Sequence, residues 1–421
     1  MRVALDQTLL QLLFLGVETG NGDFLQKLID PPKEEGLDAA IFSLEKLGAI
    51  EPHGGTYNLT PLGMHLAGIP APPVVGKRKF TEVDSRRTPN RLRDSVLVVG
   101  SILGCRDASV SMAAALSVGR NPFFRIIDKR RKGLREAADE KEAIEDMKNE
   151  NIVEERDKYK KLVGNSDHAL LAALLLHFKR MKNDAQRRFC DSLGLNVSCM
   201  RDMLQLFRQL SSALVSAGFD ADKNANRNGR SWRLIHACAI AAMAPAQLVK
   251  LRRPTAKYDA TAEGAKERDG KAQELRFFIR TGTKDPGTLP IPRDVRSQEE
   301  RVFIHPQSAN FSQGNYSFPF LVYHSLVRTS KPFLRDITEA SPYALLLFGG
   351  ELEVIASKQL IVVDGWAELS AHPRVGALVG GLRRRIDALL SEKVHDPSAE
   401  ISSTVEMKLI AKLITADGLS K

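Results

Sequence analysis

The stretch RTSKPFLRDITEASPYALLLFGG, residues 328–350, sets cations among apolar side chains, passes a Ser-Pro pair, enters a dense apolar run and stops at two glycines. Arg328, Lys331 and Arg335 supply the charge, and Tyr323 and Phe333 supply aromatic rings beside it. The composition reads as a strand, a turn and a second strand. Thr338 and Ser341–Pro342 make the turn, "YALLLF" (343–348) fills a barrel interior, and Gly349 and Gly350 bend the chain as it leaves. Further short strand candidates surround it: "ELRFFIR", "RVFIH", "FLVYHSLVR", "LEVIA" and "QLIVVDGW", separated by Gly, Pro, Asn and Ser. Five or six short strands in residues 251–372 fit a small barrel of the OB type.

Upstream, residues 95–250 are rich in helical patterns and read as a bundle. "GNSDHALLAALLLHFKRM" opens a buried helix with Asn165 or Ser166 as N-cap and Asp167 in the first turn. Met203, Phe207, Leu210 and Leu214 line one face of another helix, which Gly218 ends. A charged helix at 136–161 offers few core positions. Residues 77–94 form a basic, proline-bearing loop without apolar periodicity.

Residues 1–76 read as small helices plus a hairpin. Leu37, Ile41, Leu44 and Leu47 share a helical face, Gly48 stands at a C′ position, and Thr60–Pro61 is an N-cap with proline at N1. Helices followed by a small hairpin are the pattern of a winged-helix unit. Residues 373–421 add two amphipathic C-terminal helices. The expected architecture is therefore multidomain α+β: winged helix, helical bundle and OB-fold β-barrel.

A chain of 421 residues with 43% hydrophobic side chains is globular and has ample core. No apolar run reaches the ~18 residues of a membrane span, and "MRVALDQTLLQLLFLG" reads as an amphipathic core helix. Cys105, Cys190, Cys199 and Cys238 form no CxxC pair, which points to four buried small hydrophobes in a reducing, intracellular compartment, cytoplasmic or nuclear. Lys and Arg outnumber Asp and Glu by 61 to 51, a net charge of +10. That excess permits nucleic-acid binding without establishing it.

Catalytic patterns are missing from the sequence. "VGKR" and "GTKD" lack the glycine and the Ser/Thr of a P-loop, and neither HExxH nor GxSxG occurs. Ser166, Asp167 and His168 are consecutive at a helix start, so they cannot converge as a triad. The positive signal is for RNA. Arg328, Lys331 and Arg335 suit phosphates, and Tyr323 offers a stacking face. His305 and Asn310, in "VFIHPQSANF", carry groups that read single-stranded RNA. Phe333 has two readings, barrel core or base contact.

"DFLQKLIDPP", "LEKLGAIE", "LTPLGMHLA" and "PVVGK" resemble the winged-helix unit of DEAH/RHA-type RNA helicases. "GSILGCRDASVSMAAALSV" and "GNSDHALLAALLL" resemble the ratchet-like helical domain that follows it in that family. "VFIHPQSANF", "FLVYHSLVRTSKPFLRDITEASPYALLLFGG" and "VVDGWAEL" resemble its C-terminal OB-fold. The resemblance implies an RNA-gripping accessory module, serving an ATP-driven motor whose P-loop and DEAH motifs this sequence does not contain. Met1 is then an internal methionine of a longer helicase or the start of a motor-less chain. No ATPase activity and no cofactor are expected of these residues, since ATP and magnesium belong to the RecA-like motor domains. The resemblance also implies an RNA partner, and a G-patch-type activator or ribonucleoprotein partner at the OB-fold. It puts RNA contacts at Arg328, Lys331, Arg335, His305 and Asn310, to which the residue chemistry adds Tyr323 and Phe333, and the start of the ratchet helix at Asn165, Ser166, Asp167 and His168. The competing expectation is a helicase relic acting as a protein-interaction scaffold.

Overall fold

The computed structural model describes residues 5–16, 31, 34–46, 49–53, 56–60, 63–64, 67, 96–124, 140–219, 222–253, 258–261, 264–267, 272–281 and 298–416. The basic loop 77–94, Leu47, Gly48 and the first residues of the charged helix lie outside them. At the N-terminal end, helix α1 (Leu5–Phe14) and helix α2 (Glu34–Lys46) bury Leu9, Leu10 and Leu44, with Leu37 and Ile41 half-buried beside them. A hairpin follows, β1 (Ile50–His53) against β2 (Thr56–Leu59), with Ile50 opposite Leu59. The Thr60 hydroxyl accepts from the backbone N–H of Gly63 at 3.1 Å, the capping expected of a Thr-Pro start.

The helical region contains α3 (Val96–Ile102), α4 (Arg106–Val118), α5 (Glu140–Val163), α6 (Asp167–Lys179), α7 (Asn183–Leu193), α8 (Val197–Ser216) and α9 (Trp232–Met243). Every residue of α3 is buried, as a helix without a polar face must be. Met203, Phe207, Leu210 and Leu214 form the inward face of α8. The four cysteines are free and buried. Among the described residues no helix is long and apolar enough to cross a membrane.

Five strands close into a barrel: β3 (Leu248–Arg252), β6 (Arg276–Thr281), β7 (Gln298–Ile304), β9 (Pro332–Glu339) and β8 (Phe320–Arg328), in that order around the wall. A small hairpin, β4 (Tyr258–Thr261) with β5 (Gly264–Glu267), interrupts the chain between the first two. All neighbours in the barrel are antiparallel except β7 and β9, which run parallel. Val249, Leu251, Phe277, Ile279, Val302, Ile304 and Leu334 are among the side chains that fill it, apart from the core of the helical region.

Three sequence expectations change here. "YALLLF" is not a barrel strand but helix α10 (Pro342–Phe348), capped by Ser341, whose hydroxyl accepts from the Ala344 N–H at 3.3 Å. Ser-Pro followed by Ala and Leu is an N-cap, a proline at N1 and strong helix formers, and that local signal outweighs the apolar run. Thr338 makes no turn; it lies buried within β9. "LEVIA" and "QLIVVDGW" also leave the barrel, which β7, β8 and β9 already close. They form a separate meander of β10 (Leu352–Ile355), β11 (Leu360–Val363) and β12 (Ala367–Ser370).

Two helices end the described chain, α11 (Pro373–His395) and α12 (Val405–Ala416). The buried Arg383 of α11 donates to the carbonyl oxygens of Leu345, Leu346, Gly349 and Gly350 at 2.5–3.4 Å. Its guanidinium thereby gathers the carbonyls around the end of α10, where a helix leaves acceptors without intrahelical donors. Gly350 is required by close approach, since a Cβ there would meet Asp364 and Pro245 at 2.6 Å.

Candidate nucleic-acid interface

Strand alternation sorts the side chains of β7 and β9 between barrel interior and exterior. Val302, Ile304 and Leu334 point in and are buried. Arg301, Phe303 and His305 on β7, and Lys331, Phe333 and Arg335 on and beside β9, take the other parity. Phe303 stands opposite Phe333 in the register, and their ring centroids are 6.3 Å apart. The His305 ring meets Phe333 edge-on at 5.8 Å. The Arg301 guanidinium lies 5.1 Å from the Phe303 centroid and the Lys331 ammonium 4.9 Å from it. Two half-buried rings with two exposed cations over one of them form one aromatic and basic ladder on the outer wall. Phe333 therefore lies outside the barrel's interior cluster.

The ladder leads into a cleft of about 260 Å³ between the barrel and the end of α4. Arg120, Asn121, His305, Gln307, Arg335 and Asp336 are among its lining residues. The Asn121 side chain donates to the Gln307 carbonyl at 3.5 Å, and Arg120 pairs with Asp202. Asp336 sits in the left-handed region, at φ 52. Burial pushes its carboxyl up to about 6, against the downward pull of neighbouring Arg335. Burial and Arg335 both press the His305 imidazole below its ordinary range, so it is neutral at pH 7.

Other expected contact residues are placed differently. Arg328 is tied to Glu300 through both guanidinium nitrogens, one bond measuring 2.7 Å, and the pair holds the Glu300 carboxyl low. Tyr323 is half-buried against the barrel core, and burial raises its phenol. Asn310 is withdrawn from the surface at 1% exposure, and its amide donates to Asp167 at 3.0 Å. Its side chain is turned into the protein, towards α6, and not towards the surface.

Asn165 to His168 instead fasten the helical region to the barrel. Asp167 is buried and accepts from the Ser308 hydroxyl at 2.6 Å and from Ala309 N–H, Asn310 Nδ2 and Ile337 N–H at 3.0 Å. The Ser166 hydroxyl caps α6 at Ala169 N–H (3.0 Å) and meets the Thr338 hydroxyl at 2.6 Å. His168 Nδ1 bonds the same Thr338 hydroxyl at 2.7 Å, and burial drives its imidazole far down, to the neutral form. Asn165 donates to Glu339 at 2.8 Å and accepts the Glu339 N–H at 2.9 Å.

Sequence reading passed over Arg301, Phe303, Arg120, Asn121, Gln307 and Asp336. A signal existed for the first two: "RVFIH" and "KPFLR" both place a cation, a phenylalanine and a polar ring or cation at every second position.

Comparison with known proteins assigns these parts. The ratchet-like helicase associated domain (HA2) matches residues 95–171, the oligonucleotide/oligosaccharide-binding (OB)-fold matches 281–352, and the C-terminal domain in RNA helicases matches 359–416. The ATP-dependent DNA/RNA helicase DHX36 of Mus musculus is 27% identical over 407 residues, covering 94% of this chain and 33% of that protein. The putative DEAH-box ATP-dependent helicase UM11114 of Mycosarcoma maydis is 26% identical, covering 100% of the chain and 25% of its own length. These matches support a C-terminal region of a DEAH-type helicase. The ATP-dependent RNA helicase dhx29 of Xenopus laevis is 26% identical over 99% of the chain and 26% of that protein. The chain thus spans a third or less of the length of these helicases. Within the DEAH-type domain set, the Ser166–His168 cap belongs to the ratchet-like match and Ser308, Ile337 and Thr338 belong to the OB match. The interlock therefore joins two domains of the helicase C-terminal region.

Proposed function

We propose that this chain grips single-stranded RNA for an ATP-driven helicase motor, with the β7–β9 ladder and the adjoining cleft as its contact surface. The observation that carries the reading is the pairing of Phe303 with Phe333, with Arg301 and Lys331 both over the Phe303 ring. Unpaired bases stack on such rings at ~1–3 kcal/mol each, and the cations neutralise the phosphates between them. Paired bases do not offer their faces, so the surface favours single strands. In this reading residues 1–76 act as a winged helix beside the ratchet-like domain, and a G-patch-type activator docks on the OB-fold away from the ladder. A protein-only scaffold is not favoured, because the relatives carry helicase names and the ladder has no role in it.

The test is fluorescence anisotropy of a labelled single-stranded RNA titrated with the full chain at rising salt. Affinity that falls steeply with salt and weakens in Phe303→Ala/Phe333→Ala supports the grip. Failure to bind at low salt sinks it.

A further inference from the structure

The ladder accounts for cations and rings, but not for the carboxylate at its end. Asp336 lines the cleft, is half-buried, and has no hydrogen-bond partner among the described residues. Its neighbour Asp167 differs in this respect, because four donors saturate that carboxylate. Asp336 also holds a left-handed backbone, at φ 52, a conformation that costs free energy outside glycine and collects at functional sites. Beside it the Arg335 Nε is buried and unpaired. An unsaturated acceptor in a polar cleft is a complementary half waiting for N–H donors.

We infer that the cleft is a pocket for one unpaired base, that Asp336 reads the base edge, and that guanine is the base it prefers. The inference rests on the RNA-gripping reading above and refines it. Pockets for drug-sized ligands begin near ~300 Å³, so a cleft of about 260 Å³ takes a single base better than a whole nucleotide cofactor. Arg301 and Lys331, over the Phe303 ring outside the cleft, are the cations placed to hold the phosphates beside such a base.

A carboxylate only accepts hydrogen bonds. Guanine presents a ring N–H and an amino N–H side by side, matching the two oxygens of Asp336. Uracil presents one N–H flanked by two carbonyl oxygens, which the carboxylate repels. Adenine and cytosine present one amino group beside an unprotonated ring nitrogen. With a carboxyl near 6, Asp336 is ionised and accepting at pH 7.5.

The experiment measures anisotropy at pH 7.5 for three labelled single strands on the full chain: oligouridine, the same strand with one central guanosine, and the same strand with inosine there. A good bidentate contact discriminates by roughly tenfold or more. Guanosine is expected to bind that much tighter than uridine, with inosine between, since it keeps the ring N–H and lacks the amino group. In Asp336→Asn the guanosine-to-uridine ratio falls to one or below, because an amide pairs equally well with uracil. Asparagine tolerates the left-handed backbone, and thermal melting checks the fold. Three strands bound equally by the wild-type chain, or a guanosine preference that survives Asp336→Asn, overturn the base pocket while leaving the grip standing. If none of the strands binds, the grip fails and the pocket with it.

Discussion

Asp167, at the start of α6, accepts the backbone N–H of Ile337 in β9 at 3.0 Å, so a ratchet-domain helix start takes up a barrel strand's hydrogen bond. That N–H is buried and has left the sheet ladder for a carboxylate in another domain. The same carboxylate collects the 308–310 turn. This side chain takes more of the bonds across the junction of helix and barrel, and hence beside the cleft, than Asn165, Ser166 or His168 does.

Asp167→Ala leaves four donors without their acceptor, each buried unsatisfied donor costing ~1–3 kcal/mol. The expected outcome is a loss of roughly 3 kcal/mol or more, read as a lower urea midpoint, together with weaker RNA binding. A midpoint unchanged from wild type contradicts the interlock.

The ladder separates cations by role. Arg328 is committed to Glu300, while Lys331 lies over the Phe303 ring with no carboxylate partner among the described residues. Lys331→Glu/Arg335→Glu is expected to lower RNA affinity. It also flattens the slope of log affinity against log salt, by about 0.7 for each phosphate no longer neutralised. Arg328→Ala has the smaller effect on both. Equal losses for the two variants contradict the assignment.

The Asp336 carboxyl has an ordinary value of 3.8 in the unfolded chain and about 6 in the fold. The folded state therefore holds the proton more tightly, and this group's contribution to stability, full below 3.8, is lost as pH rises through about 6. Asp336→Asn removes the titration. Thermal unfolding is expected to show the variant more stable than wild type at pH 7.5, with the gap closing towards pH 4. A variant less stable at pH 7.5 is the opposite result.

Arg383 closes the end of α10 by donating to four carbonyl oxygens. Arg383→Met keeps the aliphatic stem and removes the donors. Hydrogen bonds involving a charged group contribute ~1.5–3 kcal/mol each, so the variant is expected to unfold several degrees earlier in calorimetry. Unchanged melting rules out this role.

Helix positions were legible wherever a cap and an apolar face agreed, as at Ser166–Ala169 and along Met203–Leu214. The strand pieces at 276–281, 298–304 and 320–328 were legible from β-branched and aromatic runs between turn residues. Three features were not. The Ser341–Pro342 cap was visible, yet the apolar run after it was read as strand interior. Strand β3 alternates over only four residues, Val249 to Arg252, directly behind an Ala- and Pro-bearing stretch, too short a run to mark it. Asn310 looked like a reader of RNA because its partner, Asp167, is 143 residues away in sequence. No local pattern records a contact of that separation.

The parallel pairing of β7 with β9 has a geometric outcome. Phe303 is level with Phe333, so Arg301 and Lys331 fall at one end of the track and His305 and Arg335 at the other. Antiparallel strands bearing the same residues would bring Arg301 beside Arg335 and Lys331 beside His305 instead. As built, the surface has a head and a tail: an open cationic entry and a walled end at the cleft. A polymer with chemically distinct ends meets a vector here, and its two orientations on the barrel are inequivalent before any motor acts on it.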